Sequence, residues 1–299
     1  MAVVQGNAAL ASDFNTLRGE INDWFFDPNA SMTFGDGQQT YGWGGSAAAV
    51  VVAGNLMTAA QMNTLIDRCN IGEDICNVVT GQLSQIVAGN QMTAAEFNAI
   101  ETKSDLIATN RLDIEAAELS LAAGGASARS TTWSAAIDCD MKYTFSNFAA
   151  ARYFFNSGGA FNISGTITGY STGTGWDGAG FNQIFTNMGT ILMNYTNTTQ
   201  SGSGGTPSSI GFYNLTAVNQ LIFQQTGTGA YTDAVFQVYA RRNSTGSIVW
   251  IQSVLTPGSG RSVNGTTTIT SQKRKLIDQS SGAASLVITT PVYSLDDPL

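Results

Sequence analysis

The sequence predicts an α+β protein in which a helical region with three repeated turn-helix motifs precedes an antiparallel β-sandwich with inserted helices. Three observations predict it: a motif that recurs three times before residue 100, a change to short β-branched runs after residue 130, and a charge distribution that breaks between them. Residues 1–128 hold 14 of the 21 acids beside 4 bases, a net charge of −10. Residues 129–299 hold 7 Asp, no Glu and 9 bases, a net charge of +2. Glu118 is the last glutamate, and the run Ala122-Ala123-Gly124-Gly125-Ala126-Ser127 that follows reads as a linker. This divides the chain into a helical repeat and attachment region, 1–125, and a β-rich head, 126–299.

The repeat begins with Val4-Gln5-Gly6-Asn7, Val52-Ala53-Gly54-Asn55 and Val87-Ala88-Gly89-Asn90. Each copy continues to an Ala five residues after the Gly, then to Phe14-Asn15, Met62-Asn63 or Phe97-Asn98. An extended segment, a Gly-Asn turn and a helix start are the physical reading. Thr58 with Gln61 and Thr93 with Glu96 form capping boxes, while in the first copy Ser12 is the expected cap. Apolar residues then recur at helical spacing: Phe14, Leu17, Ile21, Phe25; Met62, Leu65, Cys69; Phe97, Ile100, Ile107. Helices of about three turns bury such stripes only against each other or a partner. Asn15, Asn63 and Asn98 follow the core residue in every copy. They are candidates for a side-chain-to-backbone bond or for a docking contact.

The third helix is expected to run over 94–121, because Ile100, Ile107, Ile114 and Leu121 recur every seven residues. Residues 35–45 read as a glycine-rich loop without a phosphate-binding pattern. In the second region, strands are expected at 142–145, 160–168, 190–194, 234–241, 248–255, 265–270 and 285–293. Helices are expected at 147–156 and 180–188, and 196–209 reads as an exposed loop.

Composition narrows the function. Only 11% of residues are charged and there is no His, which excludes Ser-His-Asp and Cys-His nucleophilic sites and every His-ligated metal. No motif joins the seven Asp of the head into a carboxylate pair for glycoside hydrolysis. Asp138-Cys139-Asp140 and Asp296-Asp297 lack a calcium-loop pattern, so no metal or cofactor is expected. Cys69, Cys76 and Cys139 read as core thiols, and Gly72 argues against one helix carrying both Cys69 and Cys76. Arg241-Arg242 and Lys273-Arg274-Lys275 are the basic clusters, but a sequence pI near 4.4 speaks against nucleic acid. The longest plain apolar run, 47–53, is too short to span a membrane.

The segments Tyr143-Thr144-Phe145-Ser146-Asn147 and Ala151-Arg152-Tyr153-Phe154-Phe155-Asn156-Ser157-Gly158-Gly159, followed by an alternating strand, resemble structural proteins of tailed bacteriophages. Virion and tail-fibre proteins of marine and cyanobacterial phages are the nearest likeness. Val263-Asn264-Gly265 before a Thr run, the last Pro-Val-Tyr strand and the Thr-Ala-Ala-x-[MF]-Asn helix start fit the same pattern. The resemblance implies a non-enzymatic virion protein, most simply a tail appendage or fibre that docks through its N-terminal repeats. It implies a homo-oligomer, with a trimer favoured, other virion proteins as partners, and a host-surface glycan or protein as a further one. Trp176 and Tyr231, on glycine-rich loops, are the candidate exposed contacts. A collar, connector-adjacent or capsid-decorating protein and a glycan-binding module are the alternatives. Under the fibre reading, removal of residues 1–125 leaves a folded head.

Overall fold

The computed structural model describes residues 10–27, 42–78, 80–90 and 92–299. Its helical part comprises α1 (Ala11–Phe25), α2 (Ala59–Ile75) and α3 (Ala94–Asn110). Each helix touches the other two, burying Phe14, Leu17, Ile21, Met62, Leu65, Cys69, Phe97, Ile100 and Ile107. Trp24 fills the middle of this bundle and donates its indole N–H to Ser104 Oγ (3.0 Å). The capping boxes of Thr58 with Gln61 and Thr93 with Glu96 are both formed. Just before them, Gly54 and Gly89 adopt φ of 88° and 89°, the left-handed region that favours glycine. Asn55 N–H and Asn90 N–H close these turns onto the carbonyls of Val52 and Val87. The turn of the first copy lies outside the described residues.

Three sequence expectations need correction here. The first helix is capped at Leu10 rather than Ser12, because the Asp13 carboxylate accepts the Leu10 N–H (2.9 Å) and draws the helix start back. Helix α2 ends at Ile75, so Cys76 lies outside the helix that carries Cys69, as expected, but Gly72 sits within α2 and is not what ends it. Ile107 and Trp24 crowd so closely that an added Cβ would lie 2.8 Å from Ile107 Cδ1, and only a glycine lets the helices approach. The third helix ends at Asn110, not near 121: Ile114 bridges to Cys76, and Leu121 is 57% exposed in a strand.

That strand, β1 (Leu119–Arg129), also corrects the linker, since residues 122–127 lie inside it. The register slips between Ala123 and Gly125 in a β-bulge. A Cβ on Gly124 would meet the Ser271 carbonyl at 2.4 Å, and one on Gly125 the Tyr293 ring at 2.0 Å. The two glycines are there for close approach of a neighbouring strand and ring, and the boundary expected between 125 and 126 cuts through β1.

The remaining strands are β2 (Ile137–Thr144), β3 (Ala160–Thr168), β4 (Ile191–Met193), β5 (Thr198–Gln200), β6 (Thr206–Pro207), β7 (Gln220–Thr226) and β8 (Val235–Arg242). They continue with β9 (Ile248–Thr256), β10 (Thr266–Leu276), β11 (Gln279–Ser281), β12 (Ala284–Leu286) and β13 (Val292–Asp297). Two antiparallel sheets, β1-β10-β3-β4-β5 and β13-β2-β9-β8-β7-β6, face each other, and β11 and β12 form a separate hairpin. The loop expected at 196–209 contains β5 and β6, and the single strand expected at 285–293 is two, β12 and β13.

The sandwich core is aromatic. Tyr143 of one sheet stacks on Phe161 of the other, with centroids 3.8 Å apart and planes 15° from parallel. Helix α4 (Phe148–Asn156) packs Phe154 and Phe155 against Phe145, Phe161 and Phe212. Helix α5 (Gly178–Met188) sets Phe185 against Gly165 of β3 and Phe236 of β8.

Candidate functional site

The repeated asparagines are the first candidates, and each stands at the fifth position of its helix. Asn15 donates to the Val51 carbonyl (2.8 Å) and accepts from the Val51 N–H (2.9 Å). Asn63 makes the same pair with Ile86, at 3.0 and 2.7 Å. One helical face further on, Asn70 repeats it with Leu83 (3.0 and 2.8 Å). Asn22 accepts from the Ala48 N–H (2.9 Å), and the Ala48 carbonyl accepts from Arg18 (3.2 Å). An extended chain offers no helical partners for its peptide groups, and a carboxamide supplies both a donor and an acceptor in one plane. Asn15 and Asn63 therefore hold the segments that lead into α2 and α3.

What the repeat turns outward is different. Val52 and Val87, the first residues of the two described turns, are each 64% exposed, and Leu56 is 91% exposed. The recurring valine does nothing for the core, although it is as regular in the sequence as the recurring asparagine.

Trp176 and Tyr231 are brought to one end of the head, where both are half-buried. Trp176 bridges to Ser262. Next to it, the buried Asp177 pairs with Arg261 (2.9 Å) and accepts from the Gly258 N–H. Arg261 also lies 5.5 Å from the Tyr231 ring centroid and 3.6 Å from Asp233, and its guanidinium is held above its ordinary value by Asp177. These contacts fix the loops and leave both aromatics half-buried rather than fully presented.

A second surface escaped the sequence. On the outer face of the six-stranded sheet the register places Lys142, Trp250 and Arg241 side by side on β2, β9 and β8. Arg241 lies over the Trp250 ring at 4.3 Å, and the indole N–H donates to Asp296 (3.0 Å). The next row holds Asp140, Gln252 and Tyr239, and Arg241 pairs with Asp140 at 3.8 Å. Burial pushes the Asp140 carboxyl up, Arg241 opposes this, and Asp138, Asp297 and Asp296 add to the rise. Asp138 accepts from Gln252 (2.6 Å). The alternation Asp138-x-Asp140-x-Lys142 and Gln237-x-Tyr239-x-Arg241 was visible in the sequence, but the register that joins the strands was not.

The basic clusters are engaged within the chain. Lys273 donates to the Pro291 carbonyl (3.0 Å), Arg274 to Gly158 (3.2 Å) and Arg242 to Leu215 (2.8 Å), while Lys275 pairs with Asp278 (3.4 Å). Among the described residues no group of three His, Cys, Asp or Glu could hold a metal ion, and no helix is long and apolar enough to cross a membrane. A cleft of about 600 Å³ beside Trp43, Phe148 and Ile288 has Tyr153 as the one titratable side chain among its lining residues.

The two parts of the chain are joined by buried polar contacts. Arg152 of α4 forms an ion pair with Asp27 beyond α1, and both are fully buried. Asp67 of α2 accepts from the Ala283 N–H in the β11–β12 turn (2.9 Å) and from Gln85 (2.6 Å). Asn156 of α4 donates to the Gly42 carbonyl (3.3 Å). Comparison with protein-family models, curated proteins and solved structures gave no match.

Proposed function

We propose that this chain is a non-catalytic structural protein of a tailed-bacteriophage particle, a tail appendage or fibre component, that docks through its helical repeats and presents its β head. The observation that carries the reading is the division of labour within the repeat. Asn15 and Asn63 are consumed inside the chain, while Val52 and Val87 stand 64% exposed at equivalent turns. A recurring apolar side chain left in water contributes nothing to this fold. Covering each one with a partner contributes about 1–2 kcal/mol. The partner is another virion protein or a second copy in a homo-oligomer, with a trimer favoured. The head, joined to the repeats through Arg152 and Asp27, then offers the Trp250, Arg241 and Tyr239 face to a host-surface glycan or protein.

The experiment places V52D/V87D and W250A/Y239A chains in phage particles. V52D/V87D is expected to fold with unchanged thermal unfolding and to be missing from purified particles. W250A/Y239A is expected to be incorporated and to lower adsorption to host cells. Normal incorporation of V52D/V87D would overturn the docking assignment, and normal adsorption with W250A/Y239A would overturn the contact face.

A further inference from the structure

The helix repeat places a buried cation at the same point of α2 and α3. Arg68 and Lys103 each stand five residues after the repeated asparagine, and each is 3% exposed. Lys103 has its counter-charge. It pairs with Glu73 of α2 and donates to the Gly81 carbonyl, and Glu73 also accepts from the Thr80 N–H (2.7 Å). Glu73 stands ten residues after Asn63, and ten residues after Asn15 the same place on α1 holds Phe25. The Phe25 ring packs on Gly45, where an added Cβ would lie 2.2 Å from Phe25 Cε1. The Arg68 guanidinium lies 5.1 Å from the centroid of that ring. A ring face attracts a cation but does not neutralise it.

Arg68 has one hydrogen-bonding partner, the neutral Asn22 carboxamide (2.6 Å). One turn before Asn22 on the same face of α1 stands Arg18, which donates to the Ala48 carbonyl (3.2 Å). The Nε atoms of both arginines are buried and make no hydrogen bond. Among the described residues neither arginine pairs with a carboxylate. Burial pushes the Arg68 guanidinium down to about 10, and the charge of Arg18 pushes it the same way. Two cations that repel each other, one of them in the interior, are costly to keep together unless an anion joins them.

We infer that Arg18 and Arg68 form a binding site for an inorganic dianion, phosphate or sulfate, which bridges the two guanidinium groups and ties α1 to α2. A dianion matches both charges, whereas a carboxylate matches one, and the guanidinium fork suits the oxygens of such an ion. The approach is past Arg18, which is half-buried, while Ser46, Ala47 and Ala49 around its partner Ala48 are exposed. Arg68 is reached only by a small ligand, which selects the free ion over a bulky ester. The α2–α3 contact needs no such ion, because Glu73 supplies the negative charge from within the chain. The site does not depend on the phage reading.

Calorimetric titration of the full chain with sodium phosphate tests this, together with thermal unfolding in phosphate or sulfate against chloride at equal ionic strength. Binding with a Kd of about 1 mM or tighter is expected, and an unfolding temperature that rises as phosphate is added. Arg18→Gln should weaken phosphate binding about tenfold and flatten the thermal response. R18K keeps the charge and a donor for Ala48 but loses the fork. It should also bind more weakly, which covers the case in which R18Q does not fold. No binding of phosphate or sulfate to the natural chain would overturn the inference, as would binding of unchanged strength in R18Q or R18K. Acetate binding as tightly as phosphate would overturn the choice of a dianion.

Discussion

The ion pair between Arg152 and Asp27 is the sharpest place to test how the helices and the head are held together. Both side chains are fully buried, so Arg152→Met removes one charge and strands the other away from water. Breaking a buried pair in this way costs about 3–5 kcal/mol, most of it the penalty of the orphaned charge. With a urea m-value near 3 kcal/mol/M for a chain of this size, the unfolding midpoint should fall by about 1–1.7 M. Asp27→Asn should also destabilise. Asp27 sits at φ 92°, and asparagine tolerates a positive φ, so the change removes charge without adding backbone strain. The double variant D27N/R152M has no buried charge left at this site and should regain most of the loss. Urea unfolding of the four chains gives the coupling energy directly. A midpoint shift for R152M below about 0.3 M, or strict additivity of the two changes, would refute the claim that this pair joins the two parts.

Other perturbations follow from single contacts. Asn63→Ala removes both bonds to Ile86 and should cost about 1–2 kcal/mol in urea unfolding, with N63D losing less because an acceptor remains. Burial raises the Glu73 carboxyl, but hydrogen bonds from Lys103 and from the Thr80 and Gly81 N–H groups outweigh it and leave the group below its ordinary 4.5. A folded value below the unfolded one stabilises above that unfolded value and is lost as pH falls through the folded one, so unfolding free energy measured from about pH 5 to 3 should fall less steeply in E73Q than in the natural chain. Cys69, Cys76 and Cys139 are buried, which pushes each thiol up to about 12. None should react with a disulfide reagent at pH 8 until the protein unfolds, and fast labelling of any one would contradict the fold. Gly125→Val should cost about 1–3 kcal/mol, because even its Cβ would lie 2.0 Å from the Tyr293 ring.

Local chemistry was readable in the sequence and long-range pairing was not. The starts of α2 and α3 followed from Thr-x-x-Gln and Thr-x-x-Glu, because both partners of a capping box lie within one turn. Strand β3 was found at its bounds because Phe161, Ile163 and Ile167 alternate with polar residues in the sequence, although its first four residues, Asn162 included, are all buried. Strand β1 was missed because Ala and Gly dominate it, and its identity comes from pairing with β10, about 150 residues away in the sequence. The same limit applies to function. The recurrence of Asn15 and Asn63 marked them as special, but their partners Val51 and Ile86 lie 36 and 23 residues on. The outer row of Lys142, Trp250 and Arg241 exists only through the strand register.

Removal of residues 1–125 was the natural way to ask whether the head stands alone, and the structure explains why that cut would mislead. It deletes β1 from Leu119 to Gly125, stripping the partners of β10 from Leu276 to Ser271. It also removes Asp27 and leaves Arg152 without its carboxylate. Loss of folding would then reflect a broken edge strand and an orphaned cation, whatever the independence of the head. A chain starting at residue 119 keeps β1 whole, and R152M in that background removes the stranded charge. If the head is a separate folding unit, the 119–299 chain should be marginal and its R152M variant several kcal/mol more stable, the reverse of the effect expected in the full chain. Two units in contact predict that change of sign, whereas a single indivisible core predicts that both truncated chains fail to fold.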